Sequence, residues 1–168
     1  MSRDDATLEI VQAAKCELAE NALRLFGSLR LRVTGFSMLP AIWPGDLLLI
    51  RRQAMEQILP GDIVLFARDG RLIAHRVVCK TGDWATPSLI TRGDALPSFD
   101  SAVSAAELLG RVCGMFRAGE WIEPRKRLGF GARVLALLVS RSGRAAGIFS
   151  RLRAAWLRAG KRKGLCQN

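Results

Sequence analysis

In this chain of 168 residues, Ser37, His75, Asp94 and Asp100 come from separate stretches and are a set that could together do hydrolytic chemistry. His75 is the only histidine, and histidine is the one side-chain type that takes up and releases protons near neutrality without strong perturbation. A serine hydroxyl becomes a nucleophile when a base within hydrogen-bond reach accepts its proton, and the base needs an acceptor to orient it and stabilise its positive charge. Ser37 stands between Gly35 and Pro40. Glycine permits close approach of another backbone, and Pro40, lacking an amide hydrogen, argues against a long regular helix around the serine. The plain alternatives are a loop serine closing a turn and a histidine satisfied within the core.

The elements that must position these groups are short. Residues 5–27 read as a helix, capped by Asp4 or Asp5 and ended by Gly27, with Leu8, Val11, Leu18, Ala22 and Leu25 near one face that is expected to pack on the domain. Residues 29–34 alternate apolar and basic, as a half-buried strand leading into Ser37 does. Apolar runs predict further strands at 47–52 and 63–66, each preceded by a Pro-Gly-Asp turn (Pro44-Gly45-Asp46 and Pro60-Gly61-Asp62). Asp46 and Asp62 are therefore read as turn-capping carboxylates. Asp69-Gly70 is a hairpin turn. The returning strand, 72–78, places Ile73, His75 and Val77 on one face, largely buried. Strands are also expected at 89–92 and 108–115, the second with a glycine that marks a bulge. The fold class expected is mainly β (α+β), a compact domain with an N-terminal helix and basic C-terminal helices.

Composition divides the chain. Residues 1–116 carry 13 basic and 13 acidic side chains, whereas 117–168 carry 13 basic and only Glu120 and Glu123. The expected organisation is an N-terminal helix (1–28), a folded domain (29–116) and a basic helical segment (117–168). That segment places Ile148, Phe149, Leu152, Trp156 and Ala159 near one helical face among arginines, the profile of a helix lying on an anionic surface; packing on the domain is the alternative. Lipid is preferred to nucleic acid as that surface. Cys16, Cys79, Cys113 and Cys166 are widely spaced, without a Cys-x-x-Cys pair, which argues against a zinc site and for simple thiols. No metal or organic cofactor is expected. No secretory signal or membrane-spanning run is found, the longest apolar stretch being Val134 to Val139.

Taken together, Gly35-Phe36-Ser37-Met38-Leu39-Pro40, Pro60-Gly61-Asp62-Ile63-Val64-Leu65-Phe66, Ala74-His75-Arg76-Val77-Val78, Arg92-Gly93-Asp94 with Asp100, and Gly110-Arg111-Val112 resemble, in order, the sequence boxes of type I signal peptidases and of the wider S24/S26 superfamily that includes the self-cleaving LexA-like repressors. The resemblance covers residues 31–115. It implies a coiled β domain in which Ser37 is the nucleophile and His75 the general base. Either Asp94 or Asp100 would orient the imidazole, the other holding the loop or assisting. Bacterial members and the repressors carry lysine where this chain has His75; a histidine there is similar to the archaeal and endoplasmic-reticulum branch. Lys80, in the turn after the strand, is a poor substitute base. The backbone N–H of Ser37 would contribute to the oxyanion hole, while Gly35 lacks the hydroxyl that some members place two residues before the nucleophile.

The resemblance implies a serine endopeptidase cutting a precursor, signal or leader peptide after small residues, the substrate adding as an extended strand. Lacking an anchor or export signal, the chain is expected in the cytoplasm, peripheral to a membrane through its basic segment. The alternative is a catalytically idle binding domain of the same fold, acting at an anionic membrane or nucleic acid.

Overall fold

A computed structural model describes residues 3–83 and 86–126, without the side chains of residues 3–9. The basic helical segment expected over 117–168 falls mostly outside these residues. Among the described residues one α-helix, α1 (Arg3–Phe26), precedes eight strands: β1 (Ser28–Arg32), β2 (Leu47–Arg51), β3 (Ile63–Arg68), β4 (Arg71–Thr81), β5 (Ser88–Arg92), β6 (Val103–Ser104), β7 (Leu108–Arg117) and β8 (Glu120–Ile122). They form one antiparallel sheet in the order β1-β2-β7-β3-β4-β5-β6, with β8 paired to β7. The mainly β expectation holds. Strands β6 and β8 were not legible, being two and three residues long.

β3 explains why its sequence is an unbroken apolar run rather than an alternation. Ile63 and Leu65 belong to one core, with Leu48, Ile50, Val112 and Met115. Val64 and Phe66 belong to another, with Met55, Ile58, Val77, Leu89 and Val103. A strand buried on both faces has no polar side to present. β4 divides likewise: Leu72 and Ala74 pack against the first core and Ile73 and Val77 against the second. Register shifts bend the sheet between Leu49 and Ile50, Leu65 and Phe66, and Val77 and Cys79. The second of these lies beside Gly110, where a Cβ would stand 2.4 Å from the carbonyl oxygen of Arg51.

The two Pro-Gly-Asp turns are built alike. Gly45 and Gly61 both take a φ of 92°, which glycine reaches without strain. Asp46 Oδ2 accepts the N–H of Trp43 at 2.8 Å, and Asp62 Oδ2 that of Leu59 at 2.9 Å. Asp46 also takes the Arg117 guanidinium at 2.6 Å, so it ties its turn to β7.

The face assigned to α1 needs correction. The helix does pack on β1 and β4, but through Cys16, Ala19 and Leu23. Leu18 and Leu25 are about 70% exposed, and Val11 is also exposed. The buried stripe at 16, 19 and 23 was overlooked because two of its three members, Cys16 and Ala19, are small, while Leu18 and Leu25 suggested another face. Burial, with Glu20 nearby, pushes the Cys16 thiol up. No helix among the described residues is long and apolar enough to cross a membrane.

Phe66→Ala would open a cavity in the second core and is expected to cost about 3–5 kcal/mol, read as a shift of the denaturant midpoint with an unchanged slope.

Candidate active site

Ser37 begins a tight loop rather than ending a strand. Beyond β1, Val33 still donates to the Asp46 carbonyl at 2.9 Å, and Ile42 then donates back to Met38 at 2.9 Å. Met38, Leu39 and Ile42 are buried, so apolar anchoring fixes the backbone that carries the hydroxyl. The Leu39–Pro40 peptide is cis.

His75 lies mid-strand in β4, opposite Val64 of β3, and is 5% exposed. A buried imidazole needs a partner at each nitrogen. Its Nε2 stands 3.0 Å from Ser37 Oγ, and its Nδ1 stands 2.7 Å from Asp100 Oδ2. With Asp100 ionised, the proton sits on Nδ1 and donates to the carboxylate, which leaves the Nε2 lone pair facing the Ser37 hydroxyl. The Phe66 ring meets the imidazole edge to face at 6.2 Å between centroids, closing one side of the ring to water.

The two aspartates separate here. Asp100 joins His75. Asp94 does not: it makes a paired contact with Arg76, Nε to Oδ1 and Nη2 to Oδ2, both at 2.8 Å. Arg76 Nη1 donates further to the carbonyls of Gly61 at 2.9 Å and Arg125 at 2.7 Å. One guanidinium thus pins the loop at 93–95, the second Pro-Gly-Asp turn and the chain beyond β8. That loop lies flush on the site. Ala95 N–H donates to the Ser37 carbonyl at 2.8 Å, and a Cβ on Gly93 would fall 2.7 Å from that oxygen and 3.0 Å from His75 Nε2. The glycine of the Arg92-Gly93-Asp94 box is required by this close approach.

Two supporting residues escaped the sequence reading. Thr91, in β5, donates its hydroxyl to Asp100 Oδ2 at 2.6 Å. Arg68, at the end of β3, binds Glu107 at 2.6 Å and the carbonyls of Ser101 and Ala102 at 3.0 and 2.9 Å, bracing the chain just after Asp100. Nothing in the sequence marks either residue: the partners of Arg68 lie more than 30 residues away, and the contact of Thr91 depends on how the connection after β5 folds back. At the mouth, Phe36, Leu96 and Phe99 are exposed, with the Arg92 guanidinium over the Phe99 ring at 5.1 Å.

The arrangement has the order hydroxyl, imidazole, carboxylate that nucleophilic acyl transfer uses. Two predictions concern its supports. Asp94→Ala leaves the part-buried Arg76 guanidinium with only its carbonyl partners, and is expected to lower stability by about 1–3 kcal/mol, measured by chemical denaturation. The bond from Arg68 holds the Glu107 carboxyl down to about 2, against 4.5 ordinarily. A lowered folded-state value means that this stabilisation is complete above pH 4.5 and is lost as pH falls toward 2. Glu107→Gln should therefore flatten the acid side of the stability curve in that window and lower stability at neutral pH, as thermal melts across the range would read.

No curated protein matches the chain. The Peptidase S24-like family matches residues 10–113, from α1 through β7, a span that contains Ser37, His75 and Asp100. The chain belongs to the S24-like peptidase family.

Proposed function

We propose that the protein is a serine endopeptidase in which Ser37 is the nucleophile, His75 the general base and Asp100 the group that orients the base. The observation that carries this reading is the continuous contact from Ser37 Oγ to His75 Nε2 at 3.0 Å and from His75 Nδ1 to Asp100 Oδ2 at 2.7 Å, within a chain of a peptidase family. Ser37 Oγ attacks the scissile carbonyl carbon while its proton passes to Nε2. The Asp100 carboxylate stabilises the imidazolium without taking its proton. As the tetrahedral intermediate collapses, Nε2–H protonates the departing amine. Water, activated by the same imidazole, then attacks the acyl ester, releases the second product and restores Ser37. Asp94 acts as a brace, through Arg76.

Histidine in place of lysine aligns the chain with the archaeal and endoplasmic-reticulum branch of the signal peptidase superfamily. The substrate is an extended precursor, signal or leader peptide cut after small residues. The excess of basic over acidic residues in 117–168 suits peripheral attachment to an anionic membrane surface.

The test compares wild type with Ser37→Ala on a library of extended peptides and with a fluorophosphonate probe, each with and without phosphatidylglycerol vesicles. Cleavage and labelling by wild type alone are expected, with vesicles accelerating cleavage. Activity retained in Ser37→Ala would refute the assignment. A wild-type protein inert under every condition would leave the binding-domain reading in its place.

A further inference from the structure

We infer that Thr91 is a positioning residue of the same site, a fourth member of the chain that runs from Ser37 through His75 to Asp100. This inference rests on the serine peptidase reading. Asp100 lies in the connection after β5, outside any strand, yet its carboxylate must stay fixed on a ring nitrogen. Thr91 holds it at both ends: the Thr91 carbonyl accepts the Asp100 N–H at 2.9 Å, and the Thr91 hydroxyl donates to Oδ2 at 2.6 Å. Oδ2 is also the oxygen that faces His75 Nδ1 at 2.7 Å. Two donors from different strands converge on one oxygen, which fixes the rotation of the carboxylate and the lone pair that His75 meets. Hydrogen bonds to an ionised acceptor are the short, strong ones.

Thr91 is 0% exposed, so no water competes for its hydroxyl. It pairs with Val77, two residues along β4 from His75, which ties its height on the sheet to that of the base. The charged groups around the pair are few. Arg68 braces the chain after Asp100 from β3 and feels its charge. Arg76 and Asp94, beside the site, neutralise each other. Thr91 is, with His75, one of two side chains that touch Oδ2 of the carboxylate.

Two pairs of substitutions isolate the hydroxyl. Thr91→Val keeps the shape and removes the donor. Thr91→Ser keeps the donor and loses a methyl group, and Thr91→Ala, compared with Thr91→Ser, differs by the hydroxyl alone should the valine variant fail to fold. Because His75 is the only histidine, its Nδ1–H proton is a single assignable imidazole resonance, readable without any substrate. In Thr91→Val that resonance is expected to move from its wild-type position or be lost to exchange with water. The maximal rate of fluorophosphonate labelling should fall about tenfold, as befits a hydrogen bond to a charged group, with the probe concentration for half-maximal rate little changed. Thr91→Ser should restore both signals and Thr91→Ala should not. An unmoved resonance with unaltered labelling in Thr91→Val, or Thr91→Ser behaving as Thr91→Ala does, overturns the inference. A wild type that takes no label defeats the peptidase reading instead, and the resonance still reports on Thr91.

Discussion

A buried imidazole that must be bonded at both ring nitrogens is the constraint on which this domain turns. Left with one nitrogen unmet, a ring on the inner face of β4 would carry a desolvation cost of about 1–3 kcal/mol. Meeting both requires groups from opposite sides of the ring, and no single strand can supply them. One comes from the loop after β1, the other from the connection after β5. The sheet order separates those elements widely, with β2, β7, β3 and β4 between β1 and β5. Curling of the sheet at its register shifts, and the loop at 93–95 that packs onto Ser37, bring them together.

The supports of the site are arranged by charge. Each acidic group near it is matched to a particular donor: Asp94 to Arg76, Glu107 to Arg68, Asp46 to Arg117 and Asp100 to His75 and Thr91. Three of these bind an arginine that also holds backbone carbonyls, so each ion pair fixes loops as well as neutralising charge. Buried ion pairs are weak evidence for net stability, yet losing one partner is costly. The arrangement therefore favours one set of loop positions over others near in energy.

Much of this was legible in the residues. The doubly buried run Ile63 to Phe66, the Asp-Gly hairpin and the alternation around His75 follow from local rules, and the observed strands follow them to within a few residues. The twin Pro-Gly-Asp turns were readable because a glycine with positive φ and a capping carboxylate leave a local signature. What spacing could not resolve was tertiary. Asp94 and Asp100 were equivalent on paper, and only the position of Arg76 beside His75 separates them. Thr91 looked like an ordinary strand residue. The buried face of α1 was misread because two of its three buried residues, Cys16 and Ala19, are small and give a weak hydrophobic signal. Residues 127–168, with most of the basic excess, lie outside the described structure.

The unequal depth of the site within the sheet has a consequence for how it would fail. His75 is paired to β3, the strand buried in both cores, whereas Asp100 hangs beyond β5, whose outer neighbour β6 is only two residues long. Sheets loosen from their short, lightly packed margins before their centres. The imidazole is thus held by a strand at the doubly buried centre of the sheet, and the carboxylate that meets it by the margin of the sheet. Warming would loosen the contact of Asp100 with His75 before the centre of the sheet opens, with amide exchange faster in the exposed connection at 96–99 than around the buried Val64.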